Sequence, residues 1–176
     1  SLQRPDSPQC RVGLVIVPAF GYEAVSSRRA LKHLAEDAAR AGMLALRVDL
    51  DGTGDSAGDD FAPERVDAWM ASIGDACDLA RSAGAERLVL VGIRLGATLA
   101  TIVSQSRADI AGLVAIAGVS SGKRFLREGK MLQMALGLTP REVPALADVH
   151  EIAGFALTAQ TRAALSAIDL TRPAGA

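Results

Sequence analysis

The stretch from Arg87 to Ala100 constrains this chain more than any other. Leu88, Val89, Leu90 and Val91 are apolar in succession. A run without polar alternation suits a strand buried on both faces of a parallel sheet. Gly92-Ile93-Arg94-Leu95-Gly96 comes next, and Ala97, Leu99 and Ala100 open a helix whose small residues allow close packing. Strand, tight Gly-flanked turn and helix expose the middle residue of the turn at the top of a sheet. That residue is Arg94.

The other apolar segments repeat this alternation of strand and helix. Val12–Val17 reads as a first strand ending at Pro18, and Met43–Val48 as a second. Between them, Ser26 and Ser27 are expected to cap a helix to about Ala41, because Ser oxygens accept from the free amides of a helix start. Its expected apolar face is Ala30, Leu31, Leu34, Ala38 and Ala41, with His33 at the solvent edge and Gly42 as the C-terminal stop. Asp49–Asp60 is a Gly- and Asp-rich loop. Pro63 is expected in the first turn of the next helix. Val66, Trp69, Ile73, Ala76, Cys77 and Ala80 give that helix an apolar stripe at 3–4 spacing, and Ser82, Ala83 and Gly84 close it. After the central strand and its helix to about Ser104, Ile110–Ala117 is a fourth strand. Beyond Gly118 the pattern changes to a helix within Ser120–Gly137. Pro140 and Pro144 break the next stretch, and a short helix over Thr158–Ile168 precedes Pro173. Ser1–Gln9 reads as a tail. Alternating strands and helices define an α/β fold with a parallel sheet and right-handed crossovers.

With 176 residues, the chain fits one domain over residues 1–176. The core is expected over about 11–119 and a cap-like segment over about 120–170. The formal charge of −1 gives no sign of nucleic acid or membrane as main partner. Cys10 and Cys77 lack metal-ligand spacing, and Cys77 falls on the apolar helix face as a buried thiol. No metal and no cofactor are expected. Arg94 interrupts the best apolar run, no signal peptide is visible, and a cytoplasmic location is expected. The start at Ser1 rather than Met suggests a processed piece.

Four motifs in this order carry a resemblance: VIVPAFGYE at Val15–Glu23, SRRALKHLAEDAARAG at Ser27–Gly42, DLDGTGDSAGD at Asp49–Asp59 and GIRLGATLA at Gly92–Ala100. SSGKRFLRE at Ser120–Glu128 fits a family-like entry into a cap. The chain resembles the α/β-hydrolase superfamily, and more narrowly the serine aminopeptidase-like hydrolases, including those associated with exosortase systems. The resemblance implies strand order 2-1-3-4 with helices on both faces, and a crevice between the first and third strands. It implies ester, thioester or amide hydrolysis, with Gly92–Gly96 as the nucleophile elbow, usually Gly-x-Ser-x-Gly. By position the oxyanion-hole amides would be Phe20 and Leu95, with Gly21, Gly92 and Gly96 shaping the turns.

The chain departs from the family pattern in two places. Arg94 stands where the nucleophile belongs, and a protonated guanidinium has no lone pair with which to attack. The acid and histidine of the triad belong to later strands, and the only late histidine, His150, falls in the cap region. The chain is therefore expected to be a defective or incomplete hydrolase, or a non-catalytic binding domain. In the second case Arg94 at a helix N-terminus would take a small acyl or anionic ligand, or would simply pair with Glu23 or a loop Asp. Ser56, Ser120 and Ser121 read as turn or cap serines. The uncharged fourth strand is expected to leave an edge that pairs with a second copy or a partner, unless the cap segment folds back to cover it.

Asp49-Leu50-Asp51-Gly52-Thr53 also resembles the opening motif of haloacid dehalogenase-like phosphatases. By that resemblance Asp49 would attack phosphorus and Asp51 would protonate the leaving group. A Gly/Asp loop with Asp capping local amides is the competing reading.

Overall fold

A computed structural model describes residues 1–5, 11–59, 61–137, 149–152 and 154–171. Cys10, Asp60, Pro140, Pro144 and Pro173 lie outside the described residues.

The elements are β1 Leu2–Gln3, β2 Val12–Val17, α1 Gly21–Arg40, β3 Leu44–Arg47, α2 Arg65–Ser82, β4 Arg87–Ile93, α3 Leu95–Gln105, β5 Ile110–Ile116, α4 Gly122–Ala135, β6 Val149–Ile152, β7 Phe155–Thr158 and α5 Ala159–Ala167. The main sheet runs β1-β3-β2-β4-β5. The four long strands are parallel and take the order 2-1-3-4 expected for them. The first residues of the expected tail join the sheet. Leu2 and Gln3 pair antiparallel with Leu46 and Ala45, adding an edge strand too short to carry an alternation.

Alternation within β2 divides the core. Leu14 and Ile16 face α1, where they meet Leu31, Ala35 and Ala38. Val15 and Val17 face the opposite layer with Trp69, Ile73, Leu95 and Leu99 from α2 and α3. Helices thus cover both faces of the sheet. The whole α2 stripe from Val66 to Ala80 is buried, Cys77 included.

The start of α1 departs from expectation. The helix begins at Gly21, five residues before Ser26. Gly21 takes φ 58°, a conformation glycine adopts at little cost, and this turns the chain from β2 into the helix. The hydroxyls of Ser26 and Ser27 donate back to the carbonyls of Tyr22 and Glu23 instead of capping. Ala30 and Ala41 are exposed, and Ala35 takes their place in the core. At the other end Gly42 stops the helix as expected: its amide donates to Ala39 and that of Met43 to Ala38. Pro63 precedes α2, whose N-cap is Glu64 at φ 60°.

The segment after β5 joins the same core. Ser121 caps α4 through the Arg124 amide, and Thr158 caps α5 through the Thr161 amide. A Cβ at Gly122 would lie 1.7 Å from the Leu165 carbonyl oxygen, so only glycine lets α4 cross α5 this closely. The antiparallel pair β6–β7 was not anticipated. Its Ile152 and Leu157 are buried with Phe125, Leu165 and Trp69.

Among the described residues, β5 has only β4 as a neighbour in the sheet. Leu113, Val114 and Ile116 are substantially exposed, Val114 by 47%.

Candidate functional site

The carboxyl ends of β2 and β4 bring the Pro18–Gly21 turn against the start of α3. Gly96 is why they can meet: a Cβ there would fall 2.1 Å from the Pro18 carbonyl oxygen. At Gly92 a Cβ would fall 2.4 Å from Ala97 Cα. Both glycines are therefore required by close backbone approach. The residue between them, Arg94, takes φ 55° and ψ −121°. That is the backbone of the first central position of a type II′ turn, where glycine is preferred. A non-glycine residue held there stores backbone strain, and such positions concentrate at functional sites.

The Arg94 side chain is fully engaged. Nε donates to Glu23 Oε1 of α1 at 2.8 Å, Nη2 to Glu128 Oε2 of α4 at 2.5 Å, and Nη1 to the Ala117 carbonyl at 3.1 Å. Arg124 Nε donates to the other Glu128 oxygen at 2.6 Å. The Arg94 side chain is 22% exposed, and both of its carboxylate partners are partly buried. Hydrogen bonds from Arg124 and Arg94 hold the Glu128 carboxyl below its ordinary value. The hydrogen bond to Glu128, then that to Glu23, hold Arg94 above its own. The cluster is neutral: two arginines balance two glutamates. Of the readings for Arg94, pairing with Glu23 is realised, and Glu128 is a partner that sequence did not suggest. Anion capture by this guanidinium would require breaking both pairs.

The Phe20 and Leu95 amides donate to no protein carbonyl among the described residues. Phe20 itself is buried, its ring edge-on to Trp69 at 4.6 Å and to Phe155 at 5.6 Å. A cleft of about 620 Å³ opens beside it, between α1, the 49–55 loop and the Gly154–Phe155 turn. Phe20, Leu31, Val48 and Phe155 supply apolar wall, and Arg28, Asp49 and Asp55 supply charge. Arg94 and Leu95 do not line it.

Asp49 and Asp51 are held by their own loop and by α2. Asp49 Oδ2 accepts from the Asp55 amide at 3.4 Å. Asp51 Oδ1 accepts from Arg65, whose side chain is almost wholly buried, and the Asp51 carbonyl accepts from Arg65 Nη2 and Trp69 Nε1. Arg65 was missed because it precedes the α2 stripe by one residue and reads as a solvated charge. These contacts give the DLDGT segment a structural role. His33 and His150 are both exposed.

No protein-family model matches the chain, and no curated protein matches it in sequence. Solved structures do. Est1E from Butyrivibrio proteoclasticus, solved with ferulic acid bound, superposes over 97% of this chain and 67% of its own, with TM-score 0.71 and 19% identity. The metagenome-derived lipolytic enzymes LipS and LipT give 94%, 71%, 0.59 and 21% by the same measures. An α/β serine hydrolase homologue from Coxiella burnetii gives 66%, 55%, 0.53 and 16%. The chain has the α/β-hydrolase fold. It spans 55% of the Coxiella burnetii neighbour's length, and little more than half of several other solved hydrolase-fold structures.

Proposed function

We propose that this chain is a hydrolase-fold domain, related to ester, thioester and amide hydrolases, that binds a small ligand and turns over no ester by itself. The carrying observation is Arg94. It occupies the strained elbow position, cannot act as a nucleophile, and is fixed there by Glu23, Glu128 and the Ala117 carbonyl. The narrower kinship with serine aminopeptidase-like hydrolases rests on the four sequence motifs. The cleft beside Phe20, within the size range of small-molecule sites, supports binding of a ligand with an apolar body. The Phe20 and Leu95 amides, without a protein acceptor among the described residues, are the donors such a fold would turn towards an acyl oxygen.

Turnover of short-chain nitrophenyl esters by the purified chain tests this reading. The expected rate is that of buffer alone, and Arg94→Ser is expected to add nothing, because the described residues place no histidine at the elbow. Robust turnover by the unmodified chain refutes the proposal.

A further inference from the structure

We propose that the outward face of α4 docks on an anionic lipid bilayer, independently of any chemistry at the elbow. Lys123, Arg127, Lys130 and Met134 recur at steps of four, three and four, which aligns them in one stripe along the helix. All four are exposed. Met131, beside the stripe, is 61% exposed and Met134 77%, and Leu136 continues the apolar surface just past the helix end. The opposite face, with Gly122, Phe125 and Gly129, is buried.

Charge decides what this stripe can meet. Lys123, Arg127 and Lys130 form no ion pair among the described residues. The helix has one carboxylate, Glu128, and Arg94 and Arg124 already neutralise it. Three cations without an ion-pair partner among the described residues therefore lie within about 10 Å along the axis. The formal charge of −1 for the whole chain conceals this asymmetry. The stripe runs along the outer surface of a helix, and its side chains are long and unbranched. Such a surface fits a planar array of phosphates: the methionines enter the interfacial layer while the cations stay at the headgroups.

Sedimentation with vesicles tests the proposal. The full chain is mixed with phosphatidylcholine vesicles, with and without added phosphatidylserine, at low and high salt. Binding is expected only with phosphatidylserine and is expected to weaken as salt rises. Each cation is worth about a fivefold change in partitioning, so a combined Lys123→Gln, Arg127→Gln, Lys130→Gln variant should bind about a hundredfold more weakly. A Met131→Ser, Met134→Ser variant should bind more weakly at every salt concentration. Circular dichroism of both variants should match the parent, because all five side chains point to solvent. Equal binding to phosphatidylcholine alone overturns the proposal, as does undiminished binding by the triple variant. Capture by soluble polyglutamate with none by vesicles also overturns it, in favour of an acidic protein partner.

Discussion

Replacing Arg94 separates two terms that oppose one another at the elbow. Arg94→Ala removes three charge-assisted hydrogen bonds, two to carboxylates and one to a carbonyl. Charged hydrogen bonds contribute about 1.5–3 kcal/mol each, less where water reaches the pair. With Arg94 at 22% exposure, the combined loss is about 3 kcal/mol. It also leaves Glu23 and Glu128 without the cation that separated them. Arg94→Gly loses the same bonds but accepts φ 55° without strain. The glycine variant should therefore be more stable than the alanine variant by about 1 kcal/mol, the reverse of their usual order near a helix. Urea unfolding followed by circular dichroism reads both terms as midpoints, provided the slopes agree. The pH dependence supplies a second check. Glu128 is depressed in the folded chain, so its network stabilises above the ordinary carboxylate pKa and loses that contribution as pH falls through the folded value. In Arg94→Ala the acid loss should be shallower, with Arg124 retaining part of it. Equal midpoints for alanine and glycine would show that the elbow backbone stores no strain. An unchanged acid limb would show that Glu128 owes its low pKa to Arg124 alone.

Two further outcomes are expected. The exposed apolar edge of β5 should drive self-association that grows with concentration in light scattering, and Val114→Lys should abolish it; a strictly monomeric parent chain refutes the edge argument. Burial pushes the Cys77 thiol up to about 11, so in a Cys10→Ser variant the native protein should resist thiol reagents at pH 8 and react on unfolding, whereas fast labelling of the folded state would show that α2 opens.

What was legible in sequence was periodic or local. The Trp69 stripe, the parallel strands and the glycine stop at Gly42 each come from spacing or from one residue's backbone preference. The entry to α1 was not legible, because Gly21 makes the turn through its own φ and no side chain caps the helix. Two adjacent serines offered a false start there. The β6–β7 pair consists of four-residue strands about Gly154, too short for an alternation to emerge. The elbow was legible as a scaffold, and its occupant was readable as unable to attack. Its second carboxylate was not, since Glu128 lies 34 residues away on a helix whose docking depends on Gly122 meeting Leu165.

Trp69 is the single tryptophan of the chain, and it is fully buried. Its ring sits edge-on to Phe20 and Phe155, and its Nε1 donates to the Asp51 carbonyl. One fluorophore thus touches the turn beside the elbow, the β6–β7 pair and the loop that walls the cleft. Its emission, selectively excited and set by a buried surround of two aromatic rings and the Arg65 guanidinium 5.4 Å from the ring centroid, makes the protein its own optical gauge. Hydration or displacement of any of those three segments would register as a red shift or a change in intensity, without an attached label.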